Sequence, residues 1–336
     1  VTAPLVRRLA RLAREAAHPD QSGVRTRSAC PACAVGDPAP VLADRPDGTV
    51  VRHGAAVAKA HAPGTDPAAH RVRLAVAAHP ALHGILLPPL PVPRAATAAT
   101  AATAAAGDRP LTAWPYGTPV DPADPDAAPW EEAARLLARL HRVDPAALPG
   151  PLPPMRGPAK AAAALARMEA AAGGHPAAEG VRRAWGGLPA WARGEADPRR
   201  RRTLCHGDLH LGQLVRHPAE GGDWLLIDVD DLGLGDPAWD LARPAAWFAA
   251  GLLPPATWQR FLHAYAQAGG PAVTDPADPW PELDTAARAL TVQTAALALA
   301  KSAAEGRQLD QVEREMIDTC TRIGTLAPEL DPQGAS

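Results

Sequence analysis

The sequence predicts an α+β chain with a small β-rich N-terminal lobe and a larger helical C-terminal lobe, and three observations carry that prediction. β-type runs separated by turn residues crowd residues 41–117. After Trp130 the pattern turns helical, with Ala and Leu recurring at three- and four-residue intervals. One hairpin signal interrupts those helices: Gln213-Leu214-Val215-Arg216 and Trp224-Leu225-Leu226-Ile227 flank a cluster containing Pro218, Gly221, Gly222 and Asp223. The expected division is an N-terminal extension over 1–40, helical then irregular, a first lobe over 41–117 and a second over 118–336.

With 336 residues, 47% of them hydrophobic and 21% charged, the chain can bury a substantial core. A formal net charge of −2 gives no footing for a nucleic-acid partner. No apolar stretch has the length of a signal-peptide core or a membrane span, so a cytoplasmic protein without a membrane partner is expected. The sequence does not specify an oligomeric state.

Within the extension, Arg7, Arg8, Arg11 and Arg14 alternate with Leu and Ala, which reads as a solvent-facing helix. Cys30-Pro31-Ala32-Cys33 is a lone C-x-x-C, and His53 and His61 stand downstream at no recognised zinc interval. The pair therefore reads as disordered or solvent-facing reduced thiols, with a metal site as the lesser alternative. From Val41 to Ala62 the pattern is strand, turn at Asp47-Gly48, strand, Gly54, strand, and Lys59 closes the third strand. A fourth strand is expected over His83 to Pro91 and a fifth over Leu111 to Gly117. The Ala/Thr tract from Ala95 to Ala106 between them reads as a variable surface loop.

Trp130 to Val143 carries Ala133, Leu136, Leu137 and Leu140 on one helical stripe, with Glu131 and Glu132 in the first turn, where acidic groups oppose the helix dipole. Ala-rich helices follow over 159–172 and 177–193, and Arg199 to Arg202 reads as a solvated basic run. Asp236-Pro237 has the residue types of a helix N-cap and first helical position. A long Ala-rich helix is expected over Leu283 to Glu305.

The hairpin organises the chemistry. Antiparallel pairing brings Gln213, at the start of one strand, beside Asp228, at the end of the other. A carboxylate and an amide oxygen are hard ligands suited to Mg²⁺, and Asp208, just upstream, is a second carboxylate free for an acceptor hydroxyl. His206-Gly207-Asp208, Gln213, Ile227-Asp228 and Gly235-Asp236-Pro237-Ala238-Trp239-Asp240-Leu241-Ala242 resemble the aminoglycoside phosphotransferase and choline kinase superfamily, relatives of protein kinases. The stretch HGDLHLGQ is similar to that of its maltokinase-like and glucosamine-kinase-like branches.

That resemblance implies a two-lobed, protein-kinase-like fold and ATP-dependent phosphorylation of a small-molecule hydroxyl, on a sugar, an amino sugar or an aminoglycoside. It implies Asp208 as the catalytic carboxylate, Lys59 on the α- and β-phosphates, Gln213 and Asp228 on Mg²⁺, and Asp240 as a brace for the catalytic loop. Trp114 and Tyr116 would line the adenine site at the hinge, with packing an equal alternative. Gln213 replaces the commoner Asn, Asp230 replaces a Gly, and no full GxGxxG is present. Between Glu15 and Glu131 there is no Glu to pair with Lys59, so Asp66 or a water is expected in that role. These departures keep open a catalytically silent nucleotide-binding or scaffolding protein. For the acceptor, Asp275, Asp278, Glu282 and Asp284 suit ammonium groups, whereas Trp239, Trp247 and Trp280 suit a neutral sugar.

Overall fold

The computed structural model describes residues 3–18, 31–34, 39–92, 104–106, 108–197 and 203–325, in two units. The first comprises residues 1–129, 146–153 and 211–230, and the second the remainder.

The first unit is built on a five-stranded antiparallel sheet of β1 (Val41–Arg45), β2 (Gly48–His53), β3 (Ala56–Ala60), β4 (Ala104–Ala106) and β5 (Arg109–Pro115), in the order β1-β2-β3-β5-β4. Strand alternation sorts its side chains between two faces. Ala56, Ala58 and Ala60 of β3 and Leu111 and Ala113 of β5 face a core closed by Leu9, Leu12, Ala13 and Ala16 of α1 (Ala3–Ala17). Here the structure departs from the expected solvent-facing helix. Residues 9, 12, 13 and 16 share one stripe, and each buried Leu is worth roughly 1.5–3 kcal/mol, enough to seat α1 on the sheet while the arginines point away.

The other face of β3 and β5 receives Lys59, Thr112 and Trp114, which fixes the polar side of the unit. Two further expectations change. His83 to Pro91 makes only isolated bridges, Leu86 to Leu226 and Leu90 to Ala113, because Pro88, Pro89 and Pro91 lack the N–H that a ladder needs. The end of the Ala/Thr tract, Ala104–Ala106, is an edge strand, and residues 93–103 lie outside the described residues, as do Cys30 and Arg199 to Arg202.

A second sheet in this unit holds β6 (Thr118–Pro119), β8 (Leu214–His217) and β9 (Asp223–Leu226), with Leu214 opposite Leu226. Gly117 permits the approach of β8, since a Cβ there would lie 2.6 Å from Val215 Cγ2. Helix α3 (Pro67–Ala77) starts at Asp66, whose carboxylate accepts from Ala68 N at 2.9 Å. Asp66 is thus a cap and not a partner of Lys59.

The second unit is helical: α4 (Trp130–His141), α5 (Gly157–Ala172), α6 (Ala178–Gly186), α7 (Ala238–Ala249), α8 (Pro255–Gln267), α9 (Trp280–Glu305) and α10 (Gln311–Ile323). Buried residues surround α9 on all sides, as expected of a helix enclosed by neighbours, and α5, α6, α7 and α10 pack on it. Two short strands, β7 (Thr203–Cys205) and β10 (Gly233–Gly235), pair antiparallel. They fix the loop that begins at His206. No helix among the described residues is long and apolar enough to cross a membrane.

Candidate active site

The loop after β7 is shaped by a buried carboxylate. Gly207 turns with φ +86°, and a Cβ there would lie 2.5 Å from the Asp231 carbonyl oxygen, so glycine is required. Asp240, in the first turn of α7, accepts from the backbone N–H groups of His206 (2.6 Å) and Gly207 (2.7 Å). It also meets His141 Nε2 at 2.9 Å, and His141 Nδ1 lies 2.7 Å from the Tyr265 hydroxyl. Burial alone would raise the Asp240 pKa, but these hydrogen bonds and the nearby imidazoles hold it below its ordinary value. The loop is therefore anchored by a buried carboxylate.

Asp208 extends from this loop into a cage of cations. Lys160 of α5 donates to its Oδ2 at 2.7 Å, and Arg243 of α7 donates to its Oδ1 at 2.9 Å. Lys160 also donates to Asp231 Oδ2 at 2.7 Å, and Arg243 reaches the Leu209 carbonyl. Against the cost of burial, Lys160 and Arg243 hold Asp208 ionised, below its usual range. Asp231 moves the other way, because its desolvation outweighs Lys160. The sequence reading missed Lys160 and Arg243. One signal was available: only three of the 34 Lys and Arg residues are lysines, and two of these, Lys59 and Lys160, hold carboxylate pairs.

The first unit carries the other group of charged residues. Lys59 Nζ lies 2.7 Å from Asp228 Oδ1 and 2.9 Å from Asp230 Oδ2. Desolvation pulls this ammonium down, and the two carboxylates outweigh it and keep it charged. His61, also on the polar face, joins Asp230 through Nδ1 at 2.8 Å and Thr112 through Nε2 at 2.8 Å. Asp230, the acidic departure from the family pattern, is thus the second carboxylate on Lys59, where Asp66 or a water was expected.

The hairpin register sets Gln213 and Asp228 at one end: Ile227 N donates to the Gln213 carbonyl at 2.9 Å. Gln213 closes a 3-10 turn just before β8 and is buried. Asp228 has φ 64°, the one positive φ of a non-glycine among the described residues, a conformation that costs roughly 1 kcal/mol or more and that clusters at functional positions. Trp114 is buried and donates from Nε1 to Thr112 at 2.8 Å, while Arg52 covers the Tyr116 ring at 3.4 Å. Both aromatics therefore have packing partners within their unit. Of the candidate acceptor residues, Asp284 pairs with Arg288 and Asp275 caps Ala277. Trp239 is buried against Gly157, and Trp280 stacks with Trp258 and Phe248.

His70 of α3 meets His61 edge to face at 4.3 Å, and burial followed by its cationic neighbours lowers its pKa to about 3. Below about 6.5 the unfolded chain takes up a proton that folded His70 refuses, so stability falls as pH drops. The expected loss between pH 6 and pH 4 approaches about 1.4 kcal/mol per unit. Denaturant unfolding of wild type and His70→Gln across this range checks it: the variant should show the shallower slope, and equal slopes would contradict the assignment.

A family model described as a phosphotransferase enzyme family matches residues 48–283. No curated protein sequence matches the chain. Among solved structures, a choline/ethanolamine kinase family protein from Mesorhizobium loti is similar at 17% identity, with 89% of this chain and 92% of that one covered and a TM-score of 0.52. A thermostable mutant of aminoglycoside phosphotransferase APH(4)-Ia, in ternary complex with AMP-PNP and hygromycin B, is similar at 14% identity, 86% and 94% coverage and a TM-score of 0.54. A microcompartment-associated aminopropanol kinase is similar at 16% identity, 84% and 89% coverage and a TM-score of 0.54. At these identities the likeness is one of fold: the mixed architecture of a small antiparallel sheet region and a larger helical part is kinase-like.

Proposed function

The chain belongs to the phosphotransferase enzyme family, and from that premise we propose that it transfers the γ-phosphoryl group of ATP to a hydroxyl of a small molecule, a sugar, amino sugar or aminoglycoside. The observation that carries this reading is Asp208, a partly exposed carboxylate kept ionised by Lys160 and Arg243 on a loop anchored by buried Asp240.

In this reading Asp208 accepts the hydrogen bond of the acceptor hydroxyl and takes its proton as the oxygen is phosphorylated. Lys160 and Arg243 hold the two carboxylate oxygens in place, so the base is oriented before the acceptor arrives. Lys59 pairs with the α- and β-phosphates, and Asp230 with His61 fixes its ammonium. Trp114 and Tyr116 lie on the strand and strand end proposed to meet the adenine. The chemistry of Asp228 and Gln213, one carboxylate and one amide oxygen at one hairpin end, fits Mg²⁺, and these two residues would hold it. When bound, the ion neutralises charge on the phosphate oxygens. Asp230 supports an active enzyme over a silent one, because it supplies Lys59 with the carboxylate that the missing Glu would have provided.

The similar structures are described with ethanolamine, aminopropanol and hygromycin B, which favours an amine-bearing acceptor, with exposed Asp278 among the carboxylates available to it. The test is acceptor-dependent ADP release across amino alcohols, amino sugars, aminoglycosides and neutral sugars. Stimulation by an amine-bearing compound is expected, with a KM that rises with ionic strength as carboxylate–ammonium attraction is screened. A salt-insensitive KM with a neutral sugar would reassign the acceptor class, and no stimulation by any hydroxyl compound would overturn the reading.

A further inference from the structure

Three nitrogen and sulfur donors meet on the first unit, apart from Lys59, Asp228 and Gln213. His18 directly follows α1, Cys33 lies in the short helix α2 (Pro31–Ala34), and His53 ends β2. Cys33 Sγ is 3.3 Å from His18 Nε2 and 3.2 Å from His53 Nε2, and the three donor atoms all lie within 4.8 Å of one another. His53 is 1% exposed, and His18 and Cys33 are half-buried. The Cys33 thiol is thus half-buried against two imidazoles, where a disordered or solvent-facing thiol was expected.

We propose that His18, Cys33 and His53 bind a zinc ion. Around tetrahedral zinc, Zn–S of about 2.3 Å and Zn–N of about 2.0–2.1 Å place sulfur and nitrogen roughly 3.6 Å apart, so each imidazole nitrogen stands within a few tenths of an ångström of its required distance from the sulfur. Imidazole and thiolate select zinc over Mg²⁺ or Ca²⁺, which take oxygen ligands. Binding releases the Cys33 thiol proton and leaves the metal's oxidation state unchanged. The ligands come from residues 15 and 20 positions apart on three elements, so the ion would clip the end of α1 and α2 to the C-terminal end of β2. With three protein ligands the fourth position falls to water, and the ion would cross-link the extension to β2, the neighbour of the strand that carries Lys59.

The test uses the full-length chain without a histidine tag, purified without chelators and dialysed against buffer containing trace zinc. Elemental analysis should find close to one zinc per chain, falling by at least tenfold in Cys33→Ser and in His18→Ala. Asp228→Asn should retain the zinc, which separates this site from the carboxylates proposed for Mg²⁺. Cobalt exchanged into wild type should give thiolate-to-metal charge transfer and the intense visible bands of a tetrahedral ion, so the result does not depend on the variants folding. Substoichiometric zinc in wild type, a Cys33→Ser protein that keeps its metal, or a cobalt spectrum without thiolate charge transfer would each overturn the site.

Discussion

Replacing Asp208 by Asn is expected to lower kcat by roughly 10²- to 10⁴-fold, the span that general-base catalysis supplies, while ATP affinity changes little. The amide keeps the shape of the side chain and can still accept from Lys160 or Arg243, but it can neither carry the charge they neutralise nor take the acceptor proton. Asp208 belongs to the helical unit, whereas Lys59, Asp228 and Asp230 belong to the sheet unit, so the groups assigned to nucleotide remain as they were. Steady-state kinetics with a separate calorimetric measurement of ATP binding distinguishes the two effects. Activity within a few-fold of wild type would remove Asp208 from its role.

An equally large effect is expected at Asp228. Asp228→Ala removes the carboxylate proposed for Mg²⁺ and one of the two partners of Lys59, so almost no activity should remain at any accessible Mg²⁺ concentration. Because residue 228 has φ 64°, Asp228→Asn is the better-tolerated companion: Asn enters the left-handed region more readily than Ala, and the substitution removes only the charge. Both variants should fold, since Asp230 still holds Lys59 at 2.9 Å. Gln213→Asn keeps an amide but shortens its reach by one methylene, and should leave partial activity with a raised Mg²⁺ requirement. Mg²⁺ titrations of all three variants check this set. Curves superimposing on wild type would place the ion on other ligands.

What was legible in the sequence is what local chemistry specifies. Asp47-Gly48 marked the β1–β2 turn, the Pro/Gly cluster after His217 marked the β8–β9 hairpin, and the Leu136, Leu137 and Leu140 stripe marked α4. The prolines between Pro88 and Pro91 were also in view, and the apolar run around them was still read as a strand, although a residue without an N–H cannot extend a ladder. The rest depended on distance along the chain. Lys59 finds Asp228 and Asp230 from about 170 residues away, Lys160 finds Asp208 across 48, and Arg243 across 35. No periodicity encodes such pairs. The burial of α1 was missed for a related reason: its arginines are conspicuous in the sequence, whereas the sheet face that receives Leu9 and Leu12 forms only when β2, β3 and β5 pair.

The measurement that bears most directly on the account is transfer of label from γ-³²P ATP to a small hydroxyl compound, followed for wild type and Asp208→Asn side by side. The account predicts a labelled, chromatographically separable phosphorylated acceptor with wild type, and its near-complete loss in the variant while nucleotide binding persists. Nucleotide binding by wild type with no labelled product from any amino alcohol, amino sugar, aminoglycoside or neutral sugar, or equal labelling by both proteins, would contradict it.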